Sequence, residues 1–583
     1  MSVVREPERQ QVGGQGSVAP QVAGPNPAAA EDVDTRGLHV AECAAWSLVW
    51  LAVLTAGVDV WGFWWSSPVT VALAPLMVLA GLAGLVATWV ARSPRLPWLQ
   101  RSALGAVLVS ILMPQAVILH TRTFYSTDSA AFDHVAAGAL LHGHNPYTAS
   151  MAPAARLLSV PARYWTYTVS GGHVAHVSYP AGSFLVDAAA MALGFHHVVV
   201  DWVDLFAWVA CAVLFFVLLP VSLRWLSALL ALTPIFVGMF TSGGTDAVFL
   251  PLLVLAVWRW DRFAVPGERS MARWLGPVAL GLACAVKQTP WFCLAPLALG
   301  VAFEARLHGR RAWRVAERYV ATTAAVFGVV NLPFVLWQPG AWSRGTLLPF
   351  FGGLVADGQG LVSLATHGVT GGADLTVLSL AGALTYLALL GALATWYAPL
   401  KRVWMLLLPV AFFVSPRSLS SYLVDLFPVA VVAAVSVHGV GPGHSEAGAW
   451  RRRSALLVGL PGLLAAVAAV VALSSHPLTL RVDAVAVTHG GRQVQAVTVT
   501  VVNDTAQVEV PHFLVNTGAG TAGFWGVAGG GSMTLGPHRS ATVTLLSPVR
   551  TTAPQHGARW LVEAYVSHPD ALSTSAMEVW AGR

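Results

Sequence analysis

The chain has 583 residues, of which 56% are hydrophobic and only 10% are charged, whereas soluble globular domains carry about 25% charged residues. So few charges cannot give a chain of this length a solvated surface. The composition therefore excludes an ordinary cytosolic enzyme, a disordered protein and a nucleic-acid-binding protein, and it predicts an integral membrane protein.

Residues 1–42 are rich in Gly, Pro, Gln and Ala and contain no apolar run, which predicts a disordered cytoplasmic tail. Residues 43–473 are expected to form a transmembrane domain, because apolar segments recur throughout them. These segments lie at 43–63, 69–91, 102–119, 204–222, 226–242, 247–260, 274–287, 290–305, 319–337, 374–397, 403–415, 421–437 and 454–473.

The basic residues indicate how these thirteen predicted spans are oriented. With the amino terminus in the cytoplasm, 21 of the 33 Lys and Arg residues fall in predicted inner segments, six in outer loops and six in the carboxy-terminal region. Cytoplasmic loops carry an excess of Lys and Arg, so we expect the amino terminus inside and the carboxy terminus outside the cell membrane.

The apolar segment 181–198 would reverse every later basic loop if it crossed the membrane. It is therefore predicted to lie at the outer interface, consistent with Asp187 and the pair His196 and His197 within it. Residues 120–203 then form one large outer loop with its own helices.

Residues 474–583 change to alternating valines separated by turn signals such as "HGGRQ" and "LGPHRS". This pattern predicts about seven short strands in an extracytoplasmic β-sandwich. Trp525, Trp560 and Trp580 are interpreted mainly as core residues of this domain, with sugar stacking as the alternative. The predicted fold is thus an all-α multi-pass membrane protein carrying a β-sandwich domain.

The ionisable residues of the predicted spans cluster near their outer ends, where we expect them to line one cavity. They are Asp59, Asp201, Asp204, Asp246, Lys287, Arg417 and Asp425. A proton-coupled transporter would more often place such groups at mid-span. The four cysteines, all in or beside apolar segments, are interpreted as small core residues, without disulfide or metal-ligand spacing.

The densest polar stretch is "RTFYSTDSAAFDHVAAGALLHGHNPY", residues 122–147. Apolar residues at helical spacing predict a short amphipathic helix over 129–142, lying on the membrane with Asp128 at its amino terminus. Asp128 is then either a simple N-cap or a functional carboxylate, and Asp133 is interpreted as a solvated charge on the helix. The "GHNPY" turn places His144, Asn145 and Tyr147 together.

Three further outer motifs carry unusual charges. Lys287, in "GLACAVKQTPWF", opposes the topology rule and either snorkels to the interface or binds a lipid phosphate; we favour the phosphate. Arg417, in "SPRSLSSYL", is expected to pair with Asp425 or to bind phosphate or a sugar hydroxyl. Asp246, in "TSGGTDAVF", is interpreted as an N-cap residue.

The motifs "TDSAAFDHVAAGALLHGHNPY" and "GLACAVKQTPWF" resemble segments of bacterial GT-C class glycosyltransferases, in particular the polyprenol-phosphate-mannose-dependent mannosyltransferases of actinobacteria. The resemblance covers roughly residues 100–440. It implies inverting transfer of one sugar, mannose by resemblance, from a polyprenyl phosphate to a glycan or glycolipid hydroxyl outside the cell membrane. The resemblance implies no cofactor, and the sequence shows neither a metal site nor a nucleotide-sugar motif.

Under this resemblance Asp128 is the base that takes the acceptor proton, and Lys287, with Arg417 or Arg344, holds the donor phosphate. Apolar grooves between the spans would then hold the prenyl chain, and membrane lipid is an expected partner of the protein. The remaining substrate-binding candidates are Asp133, His144, Asn145, Tyr147, Asp246, Gln288 and Tyr422.

Three alternatives remain open. In the first, the donor sugar is arabinose and not mannose. In the second, the protein is a transporter or flippase of lipid-linked glycans, and in the third, the spans only anchor the predicted outer domain.

Overall fold

A computed structural model describes residues 27–64, 68–91, 93–241, 245–267, 271–437, 450–488, 493–516, 521–552 and 559–578. Within these ranges the chain is helical as far as residue 474 and strand-rich beyond it. The helices, in chain order, are α1 (Pro27–Trp64), α2 (Pro68–Val90), α3 (Pro97–Thr121), α4 (Asp128–Leu141), α5 (Ala154–Leu157), α6 (Gly182–Ala192), α7 (Val199–Leu218), α8 (Arg224–Ala231), α9 (Pro234–Thr241), α10 (Asp246–Val257), α11 (Ala272–Val286), α12 (Trp291–Leu307), α13 (Ala312–Trp337), α14 (Pro339–Phe351), α15 (Ser363–Thr366), α16 (Leu375–Thr395), α17 (Tyr397–Leu400), α18 (Trp404–Val414), α19 (Ser420–Val424), α20 (Leu426–Ser436) and α21 (Trp450–Ser474).

Among the described residues, seven helices are long and apolar enough to cross a membrane. They lie in α1, α2, α3, α7, α13, α16 and α21. Each of the thirteen predicted apolar segments overlaps a helix, so the membrane character of the chain is supported, but several of these helices are short. A helix of 12 residues such as α10 extends about 18 Å, against about 30 Å of hydrocarbon, so thirteen crossings stay a prediction.

The boundary predicted at residue 42, between a disordered tail and the first helix, lies too far along the chain. The structure begins α1 at Pro27, so residues 27–42 are helical and not a disordered tail, while residues 1–26 lie outside the described part. Residues 27–42 have no apolar periodicity, because they are rich in small and polar residues. The sequence pattern therefore could not show that the first apolar helix extends back through them.

The helices pack into one large core that reaches from Trp46 in α1 to Val437 after α20. In it, α10 packs against α7, α11 and α20, while α16 lies along α21. Proline interrupts several of these helices, including α10 at Pro251 and α11 at Pro277. Neighbouring helices and side chains can satisfy the backbone groups that such prolines free, which is why membrane helices tolerate them.

The strands are β1 (Asp357–Gly358), β2 (Gly372–Asp374), β3 (Arg417–Ser418), β4 (Leu478–Val487), β5 (Gln493–Asn503), β6 (His512–Asn516), β7 (Thr521–Val527), β8 (Ser540–Thr552), β9 (Arg559–Ser567) and β10 (Asp570–Glu578). Seven of them, β4 to β10, lie in the described part of the carboxy-terminal region, as the alternation of valines predicted. They form an antiparallel sheet in the order β10, β9, β6, β7, β8, β5, β4, and β2 adds to it beside β10. The sheet curls so that β4 approaches β10, where the Leu478 amide donates to Ser573 Oγ at 3.1 Å. It is one curved sheet, a half-barrel, and not the two packed sheets of the predicted β-sandwich, because β7 bonds to both β6 and β8 and joins the two halves.

The core of this domain contains Trp525 and Trp560, both buried, which confirms their interpretation as core residues. Trp580 lies outside the described residues. The four cysteines are free and buried, as expected for small core residues.

Candidate functional site

Asp128 opens α4 but does not cap it. The N-cap is Thr127, whose side chain accepts from the Ala130 amide, so the N-cap interpretation of Asp128 is wrong. The Asp128 carboxylate instead accepts from the Thr166 amide at 2.5 Å and from Thr166 Oγ1 at 3.3 Å. It is 6% exposed.

The surroundings of Asp128 change its acidity. Burial raises the pKa of its carboxyl above the ordinary value, while the hydrogen bonds from Thr166 and the positive charge of Arg417 oppose that rise. A carboxylate with a raised pKa is a stronger base, and a base works best when its pKa approaches the working pH. The arrangement therefore suits Asp128 to accept a proton.

Arg417 is near enough for its positive charge to act on this carboxylate. It lies on β3, which pairs in parallel with β1. Its guanidinium lies 4.0 Å from the Asp357 carboxylate, so the carboxylate that pairs with it is Asp357 and not Asp425, one of the three partners considered from the sequence. The pair is loose and partly solvated, because the Arg417 side chain is 21% exposed and that of Asp357 is 59% exposed. Arg417 thus keeps donors available for an anion.

Lys287 follows the end of α11 and is only 5% exposed, so the snorkelling alternative is wrong. Its ammonium donates to Asp246 Oδ1 at 2.5 Å, and the rings of Tyr179 and Tyr422 lie 5.3 and 5.5 Å from it. Asp246 therefore acts as the partner of a buried lysine and not as the N-cap of α10, a position that Thr245 occupies. The charge of Lys287 is compensated inside the fold.

Asp133 lies on the same helix as Asp128 but is 1% exposed, so its interpretation as a solvated charge is wrong. Its Oδ1 accepts from Ser183 Oγ at 3.0 Å. Burial raises the pKa of Asp133 to about 7, against the lowering effects of Ser183 and Lys287. The helix packs against α5, α6 and α7, and its small residues permit the close approach of α6.

Gln288 bonds the Lys287 region to α14, and Tyr147 bonds its own turn to Tyr179, whose ring lies beside Lys287. The Gln288 side-chain amide donates to the carbonyls of Ser178 at 2.8 Å and Thr346 at 2.7 Å. The Tyr147 hydroxyl donates to the Tyr179 carbonyl at 2.8 Å. These bonds make α14 a continuous part of the candidate site.

The turn that carries Tyr147 is built by Asn145, whose side-chain oxygen accepts from the Tyr147 amide at 3.0 Å. Asn145 is therefore placed as a turn residue, and His144 lies exposed just before it. A cavity of about 830 Å³ opens beside this turn and is lined by Tyr147, His176, Gln338, Arg344, Leu348 and Phe351. Arg344 is exposed, so its side chain is accessible from this cavity.

The ionisable residues near the ends of the predicted spans differ in exposure. Five of them are buried on or beside α7, α10, α11 and α20, namely Asp201, Asp204, Asp246, Lys287 and Asp425, while Asp59 is exposed on α1. Asp201 pairs with Arg122 at 3.1 Å. Within the described ranges no group of three His, Cys, Asp or Glu side chains is arranged to hold a metal.

Two residues of the site had no signal in the sequence. Thr166, which binds Asp128 from 38 positions away, lies in no recognisable motif. Asp357, the partner of Arg417, precedes a glycine in an ordinary turn-like segment. Both are positioned by chain segments that meet only in the folded molecule.

Comparisons with protein-family models, with characterised proteins and with solved structures found no match to this chain.

Proposed function

We propose that the protein transfers a single sugar from a polyprenyl-phosphate donor to a glycan or glycolipid hydroxyl at the outer face of the cell membrane, with inversion. The observation that carries this proposal is the Asp128 site: a buried carboxylate with a raised pKa, oriented by Thr166 and acted on by the charge of Arg417. One base beside one cation matches a reaction whose leaving group is already a phosphate. Such a reaction needs no general acid, unlike glycoside hydrolysis with its two carboxylates.

In the proposed step, Asp128 takes the proton of the acceptor hydroxyl as its oxygen attacks the anomeric carbon. The bond from that carbon to the phosphate oxygen breaks, and its electron pair leaves with the polyprenyl phosphate. Arg417 is assigned to the developing charge on the phosphate, because arginine presents a fork of donors that matches phosphate oxygens. Its partial exposure supports this assignment.

The cavity beside Arg344 is assigned to the lipid-linked end of the donor. Phe351 and Trp337, at the ends of α14 and α13, are 82% and 48% exposed and offer apolar surface to a prenyl chain. Arg344 then meets the phosphate at the interface, as a second cation. Lys287 is assigned a supporting role, since Asp246 already compensates its charge.

The test uses purified full-length protein in liposomes with radiolabelled polyprenyl-phosphate mannose and a membrane glycolipid extract as acceptor. We expect label to move to the acceptor. Asp128→Asn should lower the rate by about 10²–10⁴, the usual contribution of a positioned base. Asp483→Asn, which changes an exposed carboxylate of the outer domain, is the matched control and should keep the wild-type rate.

A folded Asp128→Asn variant with full activity would overturn the assignment of the base. A second donor, polyprenyl-phosphate arabinose, identifies the sugar in the same assay. A fluorescent lipid-linked glycan that crosses the bilayer without transfer, at a rate unaffected by Asp128→Asn, would favour a transporter instead.

A further inference from the structure

The carboxy-terminal domain is joined to the membrane domain by more than the connection from α21 to β4. Strand β2, which lies between α15 and α16, pairs with β10 of the domain through Asp374 with Ala571 and Gly372 with Ser573. Asp374 also caps α16, because its side chain accepts from the Val377 amide at 2.9 Å. The sheet is therefore continuous with the start of a membrane-spanning helix.

The domain also shares a hydrophobic core with the outer loops. Leu514, Tyr565 and Leu572 of the domain are buried together with Tyr167 and Val169. The ring of Phe524 on β7 meets the ring of Tyr167 edge-on, with centroids 5.5 Å apart. Tyr167 directly follows Thr166, so the domain packs on the segment that holds Asp128.

One short segment connects the Thr166 region to Arg417. The Val169 amide donates to the Gly353 carbonyl at 2.7 Å, and the Val355 amide donates to the Tyr167 carbonyl at 3.1 Å. Two residues further on, Asp357 begins the pairing with the strand of Arg417. Residues 353–358 therefore link the partner of Asp128 to the strand of Arg417, and Val355 and Ala356 lie in the core shared with the domain.

We infer that the carboxy-terminal domain is a positioning element of the candidate site: by clamping residues 166–169 and 353–358 it sets the geometry between Asp128 and Arg417. This inference rests on the proposed function for its catalytic meaning. Phe524 and Tyr565 are its positioning residues, since they belong to the domain, pack in the core that it shares with the clamped segments, and act on the site only through those segments.

The main test separates the domain sheet from β2 while leaving Asp128, Thr166 and Arg417 unchanged. A Cβ at Gly372 would lie 2.3 Å from the Leu572 carbonyl oxygen, a backbone atom that moves only if β2 separates from β10. Gly529→Ala is the matched control: its φ is +95°, so alanine is strained there too, but nothing lies within 4 Å of the added carbon. Phe524→Leu is a milder variant, and Leu546→Ala, at a side chain 46% exposed, is its control.

Two measurements are made on each full-length variant: hydrogen exchange of the segments around Asp128 and Thr166, and the pH profile of sugar transfer. Gly372→Ala should raise exchange in both segments and lower kcat by about tenfold, since small misplacements of reacting groups are costly. The titratable groups that face Asp128 are Arg417 and Tyr167. Water entering beside them should move the acidic limb of the profile to lower pH, which a simple loss of folded protein would not do.

Phe524→Leu should change both measurements in the same direction by less, and both controls should match the wild type. Wild-type exchange and an unshifted profile in Gly372→Ala and Phe524→Leu would overturn the inference. Raised exchange in Gly372→Ala, together with a wild type that transfers no sugar, would instead support the clamp and refute the proposed function.

Discussion

The pair formed by Lys287 and Asp246 gives a quantitative prediction. The ammonium and the carboxylate lie 2.5 Å apart, and their side chains are 6% and 10% exposed. At an effective dielectric constant of about 20, two unit charges at this separation attract by about 7 kcal/mol. Several kcal/mol of desolvation for each ion offset this attraction, so the net contribution of the intact pair to stability is small.

Removing one partner alone has a different effect, because it leaves a buried charge without compensation. We expect Asp246→Ala and Lys287→Met each to lower the free energy of unfolding by about 3–5 kcal/mol. The double variant Asp246→Leu/Lys287→Met should recover nearly all of this loss, since well-packed apolar replacements of a buried pair are often neutral. Asp483→Ala, in an exposed pair with Arg481, is the control and should show no resolvable change.

The assay is equilibrium unfolding in mixed micelles of dodecyl maltoside and dodecyl sulfate, followed by tryptophan fluorescence. A single variant that loses no more than about 1 kcal/mol, or a double variant no better than the worse single one, would refute the reasoning about the pair. Donor binding by the double variant tells whether Lys287 only stabilises the fold or also holds the donor phosphate. Unchanged affinity is expected if Arg417 and Arg344 hold the phosphate, whereas a folded double variant without donor binding would return that role to Lys287.

Four further predictions follow from the geometry. Sugar transfer by the wild type should rise with pH through the Asp128 titration, with a midpoint above the ordinary aspartate pKa of about 3.9, because the base must be deprotonated; the pH dependence of kcat/KM measures this. Arg417→Lys should raise the donor KM by about tenfold through loss of the guanidinium fork, as seen in initial rates. Gly345→Ala, whose Cβ would lie 2.4 Å from the Val177 carbonyl oxygen, should lower the free energy of unfolding by about 1–3 kcal/mol, whereas Gly340→Ala, with its nearest neighbour at 3.9 Å, should not. Burial raises the pKa of Glu563 to about 7, so the folded state keeps a proton that the unfolded chain releases near pH 4.3. The free energy of unfolding of the wild type should therefore fall as pH rises between these two values. Above pH 7, Glu563→Gln should be about 3 kcal/mol more stable than the wild type, as measured by unfolding across pH.

Features that depend on local pattern were predictable from the sequence. The helix at Asp128 was expected over 129–142 and spans Asp128–Leu141, and the valine-rich region after residue 474 forms strands as expected. Burial of that helix was not predictable, because alanines and glycines pack against a neighbouring helix as readily as they face a lipid surface. Asp133 was misinterpreted for the same reason.

Partner choice was the second limit. The motifs singled out Lys287, Asp246 and Arg417. The sequence left Arg417 open between Asp425, a phosphate and a sugar hydroxyl, and it favoured a lipid phosphate over any side chain as the partner of Lys287. The bonds that matter join residues far apart in the chain: 41 positions separate Lys287 from Asp246. No local periodicity encodes such a separation.

By itself, the sequence determined that this is a membrane protein with a strand-rich carboxy-terminal domain, because apolar content and periodicity are properties of each segment alone. Only the tertiary structure decided which charges compensate one another and which stay available. It paired Lys287 with Asp246, kept Arg417 partly exposed, and placed β2 in the sheet of the carboxy-terminal domain. The physical reason is that the energy of a buried charge depends on what packs around it, and that is settled only when distant segments meet.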